Sequence, residues 1–99
     1  MWILQSVEGG EAAPLRFRLL PGSMKTIGRA PRADFVVDAP LVSRIHCRAT
    51  VSPEGAIEIE DLASTNGTWV NGQRESRAAL KESDLLRVGR VTFVLEKAT

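Results

Sequence analysis

This chain of 99 residues has one cysteine, one histidine and only five aromatic residues, three Phe and two Trp, and no apolar run long enough to cross a bilayer. Each scarcity excludes something. A lone Cys47 cannot close an internal disulfide, and no signal peptide is recognisable, so an intracellular setting, cytoplasmic or nuclear, is expected. His46 and Cys47, adjacent in sequence, fall far short of the four ligands of a zinc site, and no metal is expected. Lys and Arg number 13 against 12 Asp and Glu, which leaves no broad basic field to hold nucleic acid or an anionic membrane directly. Any anion site must therefore be local. There is no Walker loop, no Gly-x-Gly-x-x-Gly and no carboxylate pair with an obvious substrate cleft, so neither a nucleotide cofactor nor an enzyme is expected.

What the chain does have is a period of two. At 43% hydrophobic it can close one core but not two, which predicts a single domain over residues 1–99. Leu15, Phe17 and Leu19 alternate with Arg16 and Arg18. Cys47, Ala49 and Val51 alternate with His46, Arg48 and Thr50, and Ile57 and Ile59 alternate with Glu58, Glu60 and Asp61, an acidic solvent side. Such alternation places one face of each strand in a core. Further strands are expected over Trp2 to Val7, Met24 to Ile27, Phe35 to Val37, Trp69-Val70, Ala78 to Leu80, Leu85 to Val88 and from Val91 onward. Asn71-Gly72 is a dipeptide that tolerates positive φ at both positions and predicts a two-residue hairpin; Gly89-Arg90 predicts a second tight connection. Ten or eleven short strands at this spacing predict an all-β sandwich of two sheets. With so few aromatics available, Trp69 is expected in the core.

Three polar clusters sit at strand ends: Gly28-Arg29, Ser43-Arg44-Ile45-His46 and Ser64-Thr65-Asn66-Gly67-Thr68. A phosphate dianion is best held by a planar guanidinium that binds two of its oxygens, with hydroxyl and amide donors on constrained turns for the rest. The clusters supply those groups. Ser43 and His46, three residues apart, with Asp38 or Asp61 as a third member, invite comparison with a hydrolytic triad. No Gly-x-Ser-x-Gly elbow surrounds Ser43, so no catalytic residue is assigned.

In order and strand context, the three clusters resemble the motifs of the forkhead-associated (FHA) domain, a phosphothreonine-binding β-sandwich whose ligand site lies on loops at one end. The resemblance covers essentially the whole chain. It implies a phosphothreonine-dependent protein–protein interaction module in signalling, which binds an extended phosphorylated segment of a partner. Arg29 would be the main phosphate contact, with Ser43, Arg44 and Thr65 beside it and Asn66 on the peptide main chain. His46 would brace the loops, and Gly28, Gly67 and Asn71 would shape them. Arg32 and the loop from Asp38 to Val42 are placed to face ligand residues that follow the phosphothreonine. The domain is expected to be monomeric and to form the N-terminal part of a longer protein. The alternative is a phosphorylation-independent scaffold or assembly module on the same fold, against which the retention of Arg29, Ser43 and Asn66 argues.

Overall fold

Alternating side chains are satisfied only where two sheets press their apolar faces together, and the computed structural model, which describes residues 1–7 and 14–98, has that architecture. Eleven strands are present: β1 (Trp2–Ser6), β2 (Arg16–Leu19), β3 (Met24–Gly28), β4 (Phe35–Val36), β5 (Cys47–Val51), β6 (Ile57–Asp61), β7 (Thr68–Val70), β8 (Gln73–Arg74), β9 (Arg77–Leu80), β10 (Leu85–Val88) and β11 (Val91–Lys97). One sheet runs β2-β1-β11-β10-β7-β8 and the other β4-β3-β5-β6-β9. All neighbours are antiparallel except β3 and β4, which pair in parallel through Ile27–Phe35 and Gly28–Val36.

The predicted alternation is realised on both inner faces, with two exceptions among the residues read as outward: His46 is fully buried, and Asp61 shares the parity of Ile57 and Ile59. Val91, Phe93 and Leu95 of β11 are buried, Phe93 and Leu95 completely, and Leu4 faces Leu95 across the β1–β11 ladder. From the other sheet Ile27, Cys47, Ala49 and Ile59 fill the opposing face. A fully buried Leu, Ile or Phe contributes roughly 1.5–3 kcal/mol through its removal from water, so these few side chains define which faces must meet. Burial pushes the Cys47 thiol up to about 12, and it behaves as a small apolar residue.

Both tight turns form. Asn71 (φ 50) and Gly72 (φ 84) join β7 to β8, where Val70 pairs with Gln73. Gly89 (φ 58) opens the turn between Val88 and Val91. Trp69 corrects the expectation. Thr68 and Val70 point inward on β7, so strict alternation turns Trp69 outward, half-buried beneath Arg87, whose guanidinium carbon lies 4.7 Å from the ring centroid. A β-strand cannot bury three consecutive side chains on one face.

Candidate functional site

The strands deliver the three clusters to one end of the sandwich because β3 ends at Gly28, the 38–46 segment precedes β5, and the 62–67 segment carries the chain from β6 in one sheet to β7 in the other. The first junction depends on an absent side chain. A Cβ on Gly28 would fall inside the van der Waals shell of the Arg44 carbonyl oxygen and within 2.9 Å of Ile45 Cα. Through that gap Arg29 N–H donates to Ser43 O (2.9 Å) and Ala30 N–H to Arg44 O (3.0 Å). The main chain on either side of Arg29 is thus zipped to the Ser43–Arg44 loop.

Fully buried His46 joins that loop to the third cluster. Ser43 N–H donates to its Nδ1 (3.0 Å), and its Nε2 lies 2.8 Å from Gly67 O. Because Nδ1 accepts, the ring proton sits on Nε2 and is donated to the Gly67 carbonyl. Both nitrogens are committed to main chain and neither touches the Ser43 hydroxyl, so the residue that most resembles a general base has no hydroxyl to activate. The Ser43 hydroxyl instead accepts from Thr65 N–H (3.1 Å), which leaves its own proton to donate outward. Asn66 Nδ2 donates to Leu41 O (3.1 Å). Its second amide hydrogen and its Oδ1 remain for a ligand.

Asp61 carries the third cluster, a role that the reading of it as a solvent-side acid misses. Its Oδ1 accepts from Ser64 Oγ (2.5 Å) and Thr68 Oγ1 (2.7 Å), its Oδ2 accepts from Ser64 N–H (3.1 Å), and Ser64 Oγ accepts from Gly67 N–H (2.9 Å). Partial burial pushes the Asp61 carboxyl up, but the donors from Ser64 and Thr68 outweigh it and hold the group below the ordinary carboxylate range. The local signal was available: an Asp three residues before a Ser that opens a turn.

Arg29, Ser43, Arg44, Thr65 and Asn66 all line one cleft of about 620 Å³, joined by Arg32, Leu41, Val42, Ile45 and Ala63. Arg29 Nε donates to Val42 O (3.1 Å), which fixes the guanidinium plane and leaves the two terminal nitrogens free. None of the ion pairs among the described residues involves Arg29, Arg32 or Arg44; those pairs join Arg48 to Glu60 and Arg77 to Glu58 and Glu60. A chain of net charge +1 therefore concentrates three uncompensated guanidinium groups around hydroxyl and amide donors. Gly28, His46 and Gly67 are not among the lining residues; their contacts are with the loops that supply those residues. Asn71 lies apart from them, beyond the far end of β7, where Oδ1 accepts from Leu85 N–H (2.9 Å) and Nδ2 donates to Asp84 (3.1 Å), and it secures the start of β10.

Two further supports were missed. Leu41 adopts φ 70, a left-handed conformation that is strained for a branched side chain, and this aims its carbonyl at Asn66. Gly89 makes room for that segment, because a Cβ there would meet Pro40 O at 2.9 Å and Val42 Cγ2 at 3.0 Å. Neither is legible before the β10–β11 turn is known to pack on the 40–42 loop.

A family model described as the FHA domain matches residues 25–89, most of the chain and all three clusters. The chain belongs to the FHA domain family. The oxoglutarate dehydrogenase inhibitor of Corynebacterium efficiens is 35% identical over 88 residues, covering 89% of this chain and 61% of that protein. The ABC transporter ATP-binding/permease protein Rv1747 of Mycobacterium tuberculosis is 40% identical over 81 residues, 82% of this chain and 9% of that protein. The chain thus spans less than two thirds of both relatives. Among solved structures, the FHA domain of the CT664 protein from Chlamydia trachomatis superposes with a TM-score of 0.89 at 27% identity, covering 99% of this chain and 98% of that one. A domain from a structural and functional analysis of phosphothreonine-dependent FHA interactions reaches 0.86 at 28% identity, covering 99% and 97%.

Proposed function

We infer that this domain is a phosphothreonine-dependent interaction module that recognises an extended phosphorylated segment of a partner protein inside the cell, in the cytoplasm or nucleus. The observation that carries the reading is the convergence of Arg29, Arg32 and Arg44, none of them ion-paired among the described residues, with the Ser43 hydroxyl and the Asn66 amide in one cleft. In this assignment Arg29 meets two phosphate oxygens, Ser43 and Thr65 donate hydroxyls, Arg44 adds charge at the rim, and Asn66 addresses the peptide main chain. Val42 and Ile45 supply apolar wall for a threonine methyl. The domain binds and does not catalyse. That part of the reading is supported by the commitment of both His46 nitrogens to main chain and by a relative named as an inhibitor of an enzyme.

Titration calorimetry with one peptide in phosphothreonine and unmodified forms tests this function. The phosphorylated form alone should bind. Equal binding of both forms would replace this reading with the phosphorylation-independent scaffold.

A further inference from the structure

The sandwich has a second opening that shares no residue with the phosphate cleft, a groove of about 420 Å³ between the edge strands β2 and β4. Phe17 stacks on Phe35 within it, ring centroids 4.5 Å apart and planes 4° from parallel. Leu20, 56% exposed, keeps apolar surface in water at its rim. Scattered exposed leucines need no explanation, but one that lines a groove floored by two stacked rings is a candidate contact.

Lys25 sets the sign of what would fill the groove. In the β3–β5 ladder it stands opposite Ala49, which is fully buried, so alternation places Lys25 on the inner face of its sheet at the mouth of the sandwich. No described carboxylate forms an ion pair with it; neighbouring Asp34 is hydrogen-bonded to Thr26, accepting from its N–H (2.9 Å) and Oγ1 (3.1 Å), and those bonds outweigh the Lys25 charge in lowering its carboxyl. Exposed Arg16 and Arg18 flank the same groove, likewise without ion pairs to described residues.

Among the described residues the main chain of β2 is open as well. There β2 pairs only with β1, and Ser6 N–H donates to Leu15 O, which sets the phase of that ladder. Phe17 and Leu19 turn their peptide groups toward β1, so those of Arg16 and Arg18 point to the free edge. An exposed edge of this kind is a template for another strand.

We propose that this groove docks an acidic, extended segment of a partner protein, which adds as a strand to the free edge of β2. Its main chain pairs with Arg16 and Arg18. Its inward side chains place an apolar group on the Phe17–Phe35 stack and a carboxylate at Lys25, and its outward carboxylates meet the Arg16 and Arg18 guanidinium groups. Three cations that form no ion pair with a described carboxylate select acidic over basic segments, and no phosphate is required.

The test uses the isotope-labelled chain and an unphosphorylated peptide of repeated Glu-Val-Glu-Glu, which as a strand carries Glu on one face and Val and Glu in turn on the other, followed by NMR at one salt concentration. Amide shifts should concentrate at residues 16–20, 25 and 35. Arg29→Ala should leave the affinity unchanged, whereas Lys25→Glu and Arg18→Glu should each weaken it about tenfold or more. If Lys25→Glu fails to fold in a thermal melt, the exposed Arg18→Glu decides. Any of four results overturns the proposal: no shifts at millimolar peptide, shifts confined to residues 29, 44 and 66, equal binding of the same peptide with Lys in place of every Glu, or self-association through the groove in the absence of peptide.

Discussion

At the scale of the residue, the anion site depends on how little freedom its cation retains. Arg29 Nε is tethered to Val42 O, so a bound phosphate orders only the far end of a side chain that is already aimed. Arg29→Ala should therefore weaken a phosphothreonine peptide by about 2–5 kcal/mol, with the thermal melt unchanged. Arg29→Lys should recover little of that, because a point charge lacks the fork that spans two oxygens; calorimetry on both variants checks the pair. In the proposed mode Arg29, Ser43 and Asn66 would engage features that phosphoserine shares with phosphothreonine, so discrimination would fall to the methyl against Val42 and Ile45. One methyl in a fitted pocket corresponds to roughly 10- to 200-fold. Matched peptides measure that ratio, and equal affinities would mean that these walls do not enclose the methyl. Arg29, Ser43, Arg44, Thr65 and Asn66, which line the cleft, were legible in the sequence because each lies in a short motif at a strand end. Asp61 was misassigned with Glu58 and Glu60 to the solvent side, although a period of two places it on the face of Ile57 and Ile59 and its spacing to Ser64 suggests a turn; that Thr68 also turns its hydroxyl onto it is visible only in the fold.

At the scale of the element, strand existence was readable and strand surroundings were not. Val91, Phe93 and Leu95 announce β11 unaided, whereas the outward turn of Trp69 follows from its being flanked by two inward residues, a parity that scarcity of aromatics does not predict. The glycines sort by the same distinction. Gly28→Ala drives a Cβ into the Arg44 carbonyl and Ile45 Cα, both backbone atoms that cannot swing aside. It should cost about 1–3 kcal/mol of stability, in the range of overpacked sites, and should displace the Ser43–Arg44 loop enough to impair binding in the protein that still folds. Gly72→Ala meets no atom within 4 Å and bears only the left-handed backbone term of about 1–2 kcal/mol, with binding intact. Urea melts and peptide titrations on the two variants separate a turn from a junction, although sequence alone presents both as glycines beside a strand.

At the scale of the whole molecule, folding and recognition share one carboxylate. Asp61 is held below the ordinary carboxylate range by the hydrogen bonds that outweigh its burial, so it is more acidic folded than unfolded. Its contribution to stability is complete above the unfolded value of about 3.9 and is lost as pH falls through the lower folded value. Urea midpoints should thus hold from pH 7 to 5 and drop below pH 4, and Asp61→Asn should make that acid limb shallower, with Asp34 and Asp84, whose carboxyls are also lowered, keeping their share; an unchanged limb would remove Asp61 from the account. The chain segment that Asp61 anchors crosses from β6 in one sheet to β7 in the other, and this crossing has a kinetic meaning. A cleft with Arg29 on one side and Asn66 on the other is complete only after both sheets have docked, and contacts between residues so far apart in sequence form late in folding. Phosphopeptide should consequently slow unfolding while it leaves the refolding rate unchanged. In stopped-flow chevrons, the ligand should lower the unfolding limb alone.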